Sequence, residues 1–189
     1  MNNVERELKM LLTETEYESL LAIGQTEPQL QINYYFYCEE MPADVMVRIR
    51  VKNGEYRFCY KRLLSAQNGV NVCDEREKEI DGDTANALIN GSLNGGVLKS
   101  LVDVDLPYVF RCAGFLSTYR AKFTLDNWII ELDKNEYLGV TDYELECECD
   151  DSAQLEGLKT YLCGNYGVTF RQSVSKSGRF FKEYKKSND

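Results

Sequence analysis

The sequence of 189 residues contains no histidine. This absence excludes the Ser-His and Cys-His nucleophilic pairs, and it removes the general base that enzymes use most often. It also removes the commonest protein ligand of transition metals. Any catalysis by this chain must therefore use carboxylates, lysine, tyrosine or a hard metal ion bound by oxygen atoms.

The chain also lacks a surplus of positive charge, because 31 acidic residues outnumber 22 basic ones and give a net charge of −9. This balance argues against general nucleic-acid binding, although a local cationic cavity is compatible with it. No apolar run reaches the length of a membrane-spanning helix, and the first residues show no basic-then-apolar export signal. Together with seven cysteines that lack zinc-site spacing, this predicts a reduced, cytoplasmic protein without a membrane partner.

What the chain does contain is a series of short segments in which polar and apolar residues alternate, as they do in strands. These segments are 4–10, 32–38, 45–52, 55–62, 73–80, 115–124, 127–133 and 142–149. Asn53-Gly54 predicts a two-residue hairpin, and local hairpins indicate an antiparallel sheet. Helices are predicted after the capping box at Thr13–Glu16, over 83–89, over 153–163 before Gly164, and over 175–186. We predict one α+β domain spanning 1–189.

Charged side chains recur at every second position of several predicted strands, so they share one face of each strand. The runs are Glu5-x-Glu7-x-Lys9, Arg48-x-Arg50, Glu77-x-Glu79, Arg120-x-Lys122, Glu131-x-Asp133 and Glu144-x-Glu146. The wet outer face of an antiparallel sheet is also polar, and this interpretation stays open. However, the opposite faces of these strands are strongly apolar, and eight strands are enough to close a barrel. Closure with the charged faces inward would produce a tunnel with cations on one wall and carboxylates on the other.

In their order along the chain these motifs resemble the CYTH-domain family of triphosphate tunnel metalloenzymes. The matching positions are Glu5, Glu7 and Lys9 for the opening signature, Arg48 and Arg50 for an Arg-x-Arg strand, Lys61 on its hairpin partner, Glu77 and Glu79 for a Glu-x-Glu strand, Gly114, Leu116, Thr118 and Arg120 for a bacterial Gly-x-Leu-x-Thr-x-Arg run, the late carboxylates Asp133, Glu144 and Glu146, and Ser175, Lys176, Ser177 and Arg179 for the C-terminal segment. Glu75 alternates in phase with Glu77 and Glu79, so that assignment can slip by two residues.

The resemblance implies a closed eight-stranded antiparallel β-barrel, with helices outside and the helix over 175–186 capping the tunnel. It implies hydrolysis of a triphosphate-containing small molecule, with Mg²⁺ or Mn²⁺ as the cofactor. The resemblance implies that the catalytic residues are Glu5, Glu7, Lys9 and Asp133. It implies metal ligands among Glu5, Glu7, Glu77, Glu79, Glu131, Asp133, Glu144 and Glu146. The phosphate-binding residues that it implies are Lys9, Arg48, Arg50, Lys61, Arg120, Lys122, Lys176 and Arg179.

Three alternatives stay open at this point. Class IV adenylate cyclases share the tunnel, and in them a ribose hydroxyl attacks the α-phosphate. A non-catalytic binder of polyphosphate would use the same basic wall. A structural β-domain whose charged strand faces are simply exposed to solvent would bind neither metal nor phosphate. The sequence leaves open which triphosphate is the substrate and what oligomer the chain forms.

Overall fold

The computed structural model describes residues 2–67, 70–148 and 152–188, and the side chains within these ranges from residue 7 onward, except at 66–67, 70–71, 152–153 and 155. The strands are β1 (Asn2–Leu12), β2 (Gln29–Tyr37), β3 (Val45–Lys52), β4 (Glu55–Gln67), β5 (Val70–Ile80), β6 (Arg111–Leu125), β7 (Trp128–Tyr137) and β8 (Val140–Glu148), and the helices are α1 (Glu14–Gly24), α2 (Gly82–Asn90), α3 (Gly95–Val102), α4 (Ser152–Tyr166) and α5 (Lys176–Lys186). The predicted α+β class with an antiparallel sheet of eight strands is confirmed. Its closure into a tunnel and its organisation as one domain stay predictions.

Within the described residues, two-residue turns join β3 to β4, β6 to β7 and β7 to β8. The predicted turn between β3 and β4 is present, with φ of 52° at Asn53 and 80° at Gly54, both in the left-handed region that such hairpins require. Between β7 and β8 the corresponding residues are Leu138 and Gly139, with φ of 45° and 79°. The predicted end of strand 127–133 was therefore wrong, because β7 continues to Tyr137 before the chain reverses.

The chain divides into two compact units, and the first is formed chiefly by residues 31–65 and 72–116. It contains the strand order β5-β4-β3-β2, with the apolar faces of β3 and β4 covered by α2 and α3. Helix α3 was not predicted, because Gly95-Gly96 is a weak helix former. The helix begins where the Asn94 side chain accepts a hydrogen bond from the Val97 amide at 3.1 Å, and it buries Leu98 in the core.

The second unit is formed chiefly by residues 4–30, 117–148 and 152–188. It contains the strand order β6-β7-β8-β1, and its core residues come from the apolar faces of these strands and from α1 and α4. The capping box of α1 is formed as predicted, by Thr13 and Glu16. Helix α4 passes through Gly164, where an end was predicted, and stops at Tyr166 before Gly167, whose φ is 65°.

None of the helices in the described part of the chain has both the length and the apolar character needed to cross a membrane.

Candidate active site

Many charged residues of the second unit lie on one face of its four strands, which we call the acidic face, whereas Lys134 and Glu136 lie on the opposite face of β7. The strand register explains the grouping: Arg120 lies opposite Asp133, Asp133 opposite Glu144, and Lys9 opposite Glu146. The described members of this face are Glu7, Lys9, Thr118, Arg120, Lys122, Glu131, Asp133, Asn135, Asp142, Glu144 and Glu146. Their alternating neighbours fill the core of the unit, so the face is fixed by the strand period.

Arg120 lies at the centre of the acidic face and contacts carboxylates from two strands. Its Nε donates to Asp133 Oδ1 at 2.7 Å, and its Nη2 donates to Asp133 Oδ2 at 2.5 Å. The same Nη2 contacts Glu146 Oε2 at 2.7 Å, and Nη1 contacts Glu131. Asp133 is completely buried, so this bidentate pairing supplies much of the compensation for its charge.

Lys176 reaches the same carboxylates from the first turn of α5. Its Nζ lies 2.8 Å from Asp133 Oδ2, 2.8 Å from Glu146 Oε1 and 3.4 Å from Glu144 Oε2. Lys9 Nζ adds a further contact to Glu146 at 3.2 Å and to Glu7 at 2.8 Å. Lys122 is more peripheral, because its side chain is 60% exposed and contacts only Glu131 among the described acidic groups.

Arg179 connects α5 to a cluster of polar side chains on the strands, and the sequence analysis did not predict this cluster. Its Nε donates to Asp142 Oδ2 at 2.8 Å, and the Tyr137 hydroxyl donates to that same oxygen at 2.7 Å. Asn135 donates to the other Asp142 oxygen at 2.9 Å and accepts from the Thr118 hydroxyl at 2.8 Å. The signal for this cluster was available in the sequence, since all four strand residues are in phase with Arg120, Asp133 or Glu144.

The acidic face shifts the pKa values of its members in opposite directions. Burial alone would lower the pKa of Lys176, but the charges of Glu146, Asp133 and Glu144 outweigh it and the pKa rises. Burial likewise opposes the charge of Glu146, yet Lys176, Lys9 and Arg120 hold the pKa of this carboxyl well below its ordinary value. At Glu144 burial prevails over the nearby cations, and the pKa is raised. These opposed shifts on neighbouring carboxyls are typical of functional sites.

The acidic face has the donor chemistry of a site for Mg²⁺ or Mn²⁺, because its acidic groups are all hard oxygen donors. Glu144 is wholly buried, and its Oε1 has no hydrogen-bond partner among the described residues. In the part of the chain that the structure describes, no group of three acidic or cysteine side chains has the arrangement needed to bind a metal ion. The nearest three, Asp133, Glu144 and Glu146, surround the ammonium of Lys176 instead.

The first unit carries the predicted arginines on one face of β3, which we call the basic face. Arg50 Nε donates to Asn33 Oδ1 at 3.2 Å, and Arg48 lies opposite Tyr35 of β2 and Cys59 of β4. Burial would lower the pKa of Arg48, but these two partners raise it above its ordinary value. Arg48 Nε itself is buried without a hydrogen-bond partner in the described ranges. Uncharged side chains of β2 and β4 therefore flank Arg48, and Asn33 of β2 binds Arg50.

Lys61 and the acidic residues of β5 also lie on this face. Lys61 Nζ contacts Glu75 at 2.9 Å, so the member of the alternating series that pairs with the predicted lysine is Glu75. Glu77 accepts a hydrogen bond from the Cys59 thiol at 3.1 Å and is 41% exposed. Glu79 is exposed and lines an open surface cavity of about 430 Å³. The side chain of Glu5, a predicted metal ligand, lies outside the described residues.

Residues 3–181 match the family model of the CYTH domain. Because this match spans nearly the whole chain, the chain belongs to the CYTH family, and the resemblance drawn from its motifs is confirmed. A protein of Bacillus subtilis (strain 168) named "Putative triphosphatase YjbK" is 28% identical over 190 residues, which cover 97% of both chains. This relative extends the similarity over the full length of both proteins.

Two solved structures have a similar fold. The structure described as a putative adenylate cyclase from Bacillus halodurans has a TM-score of 0.74 and 23% identity, and it covers 95% of this chain and 98% of that one. The Hippeastrum protein HpAC1, described as a putative adenylyl cyclase with a dominant triphosphatase activity, has a TM-score of 0.72 and 23% identity, with 96% of each chain covered. At this identity the two structures support the fold.

Proposed function

We propose that this chain is a divalent-metal-dependent triphosphatase that hydrolyses a triphosphate-containing small molecule. The observation that carries the proposal is the buried cluster of Asp133, Glu144, Glu146, Arg120 and Lys176. Buried ion clusters contribute little net stability, because desolvation offsets their attraction, so a functional role explains this one better than a structural role. Membership of the CYTH family and the name of the Bacillus subtilis relative support the same activity.

In this proposal the eight strands close into a tunnel that is lined by the acidic face and the basic face. Arg48 and Arg50 bind non-bridging phosphate oxygens, a task suited to the planar, permanently charged guanidinium group. The other cations assigned to the phosphates are Lys9, Lys61, Arg120, Lys122, Lys176 and Arg179. Each of them contacts carboxylates in the structure, so substrate would exchange one set of anionic partners for another.

We assign the binding of Mg²⁺ or Mn²⁺ to Asp133, Glu144 and Glu146. Glu5, Glu7 and Glu131, which alternate in phase on the same strands or on a neighbouring strand, are assigned to the same site. The bound ion would neutralise phosphate charge and orient a water molecule. Water would attack the terminal phosphoryl group, the bond to the diphosphate leaving group would break, and no covalent enzyme intermediate is required. Glu77 and Glu79 are also assigned to metal binding; both are exposed, and Lys61 contacts Glu75 of the same strand.

The proposal is tested by measuring phosphate release from inorganic triphosphate, ATP and thiamine triphosphate, with Mg²⁺, with Mn²⁺ and with EDTA. We expect metal-dependent release from at least one substrate. Arg50→Ala should reduce kcat/KM by about a hundredfold or more, since a charged hydrogen-bonding group contacting phosphate is lost. The matched control is Arg57→Ala, which removes the same charge from a side chain that is 48% exposed on the same sheet.

Three outcomes would contradict the proposal. Formation of pyrophosphate and a cyclic nucleotide from ATP would identify a cyclase. Metal-dependent binding of triphosphate without turnover would identify a binding protein. Equal loss of activity in Arg50→Ala and Arg57→Ala would show that general surface charge, and not the basic face at Arg50, supports the activity.

A further inference from the structure

The ammonium group of Lys176 lies where several carboxylate oxygens converge. It is within 3.4 Å of oxygens from Asp133, Glu144 and Glu146, and its side chain is only 13% exposed. All three are among the carboxylates to which the proposed function assigns a metal ion; Asp133 and Glu144 are wholly buried, and Glu146 is 13% exposed. Lys176 contacts all three carboxylates, whereas Arg120 contacts Asp133 and Glu146, Lys9 contacts Glu146, and Arg179 contacts Glu144.

The remaining oxygen of Glu144 provides a second, independent observation. Glu144 Oε1 is buried and has no hydrogen-bond partner among the described residues, although an unsatisfied carboxylate oxygen is costly to bury. Lys176 contacts the other oxygen of this carboxylate, and so does Arg179. The cluster therefore has an acceptor that the cations among the described residues leave unused, which is what an incompletely filled cation site would show.

A divalent ion and the ammonium group cannot both use these oxygens. Mg²⁺ lies about 2.1 Å from its oxygen ligands, so an ion bound by Asp133 and Glu146 would be well within repulsive range of an ammonium that keeps its own contacts with them. We propose that Lys176 is an internal cation that competes with divalent metal for Asp133, Glu144 and Glu146, and that metal binding displaces its ammonium group from them. The inference rests on the metal assignment in the proposed function.

Displacement requires movement of the Lys176 side chain and not of the helix that carries it. One turn further along α5, Arg179 contacts Asp142 at 2.8 and 3.1 Å. Phe180 is wholly buried, with its ring centroid 6.3 Å from that of Tyr137. These contacts do not involve Lys176, so α5 can stay docked while the flexible lysine side chain changes partner. An ammonium released in this way is available to a phosphate oxygen, which couples metal binding to triphosphate binding.

The first test is titration of the full-length protein with Mn²⁺ alone, with the free ion followed by its EPR signal. Lys176→Met should bind Mn²⁺ about tenfold more tightly than the wild type, because a competing charge close to the site is removed. Lys182→Met is the matched control, since it removes an exposed lysine from the same helix and should leave the affinity unchanged. Lys176→Arg, which keeps the charge, should not gain affinity. A Lys176→Met affinity within twofold of the wild type, or no Mn²⁺ binding by either protein, would overturn the inference.

A second test uses the wild-type protein, so it does not depend on how a variant folds. Lysines are acetylated briefly with and without Mg²⁺, and the modification of Lys176 and Lys182 is compared by mass spectrometry. We expect Mg²⁺ to raise the labelling of Lys176 several-fold while that of Lys182 stays constant, and an unchanged Lys176 would contradict displacement. Neither test uses turnover. A tighter Mn²⁺ affinity in Lys176→Met, together with no triphosphate hydrolysis by the wild-type protein, would support the competition and refute only the proposed function.

Discussion

Replacement of Arg120 by methionine tests whether the acidic face is balanced by this one guanidinium group. Methionine keeps much of the apolar stem and removes the charge together with every hydrogen bond to Asp133, Glu146 and Glu131. Asp133 is completely buried and Glu146 is 13% exposed, so solvent replaces little of what is lost. The burial of Arg120 itself would lower its pKa, but Asp133, Glu146 and Glu131 raise it, so the arginine is charged throughout the accessible pH range.

The expected loss of stability follows from the contacts that remain. Removing one partner of a buried ion pair costs about 3–5 kcal/mol. Lys176 still contacts Asp133 and Glu146 at 2.8 Å, and Lys9 still contacts Glu146 at 3.2 Å. Allowing for these cations, we expect the free energy of unfolding to fall by about 2–4 kcal/mol at neutral pH.

The loss should also depend on pH in a definite direction. Burial would raise the pKa of Glu146, but Arg120 helps Lys176 and Lys9 to lower it, so without Arg120 this folded-state pKa rises and the folded variant binds a proton more readily than the wild type does. Protonation relieves the excess negative charge, and the difference in stability should therefore be larger at pH 8 than at pH 5. Urea denaturation in EDTA at both pH values measures this difference without interference from metal ions.

Arg57→Met is the matched control, because its nearest carboxylate contact, to Glu77, is 3.6 Å long and both side chains are more than 40% exposed. It should cost less than about 1 kcal/mol at either pH. A loss below about 1 kcal/mol in Arg120→Met, or an equal loss at pH 5 and pH 8, would show that the acidic face does not need the arginine for charge balance.

Two further predictions concern single side chains outside the metal assignment. Burial would raise the pKa of Glu16, but hydrogen bonds from Arg171, Thr13 and Thr169 outweigh it and lower the pKa from 4.5 to about 2. Glu16→Gln should therefore reduce the free energy of unfolding by about 1–2 kcal/mol at pH 7. In acid-denaturation experiments this reduction should disappear as the pH falls from 4.5 towards 2. A loss of stability that persists at pH 2 would show that it does not come from the ionised Glu16 carboxylate. Asn33→Ala removes the acceptor of Arg50 Nε, so it should weaken binding of inorganic triphosphate about tenfold by calorimetry, whereas an unchanged affinity would show that Asn33 does not position the arginine.

The strands were predictable because their side chains repeat with a period of two, and that period is a local property of the backbone. The alternation of Arg48 and Arg50, or of Glu144 and Glu146, places both residues of each pair on one face whatever the rest of the chain does. Asn53-Gly54 was predictable for the same reason, since its left-handed φ values belong to those two residues. Helix α3 was missed because its residues favour a helix only weakly, and burial of Leu98 in the core supplies what its local preferences lack.

Local sequence patterns could not predict which charged side chains contact one another. Alternation leaves Glu75, Glu77 and Glu79 equivalent, because a shift of two residues keeps every side chain on the same face. The contact of Lys61 with Glu75 is decided by how β4 and β5 are aligned. In the same way, the long β7 strand continued beyond its predicted end because its pairing with β8 extends to Tyr137 and Val140.

By itself, then, the sequence determined the strand faces, the sign of the charge on each, the absence of histidine chemistry and the membership of the CYTH family, because all of these depend on residue identity and short spacings. Only the tertiary structure decided which cation meets which carboxylate. Lys176 is separated by 30 residues from Glu146 and by a still longer segment from Asp133, and it contacts both because α5 docks on the second unit through Arg179 and Phe180. Such contacts depend on the packing of distant segments, and no local periodicity encodes them.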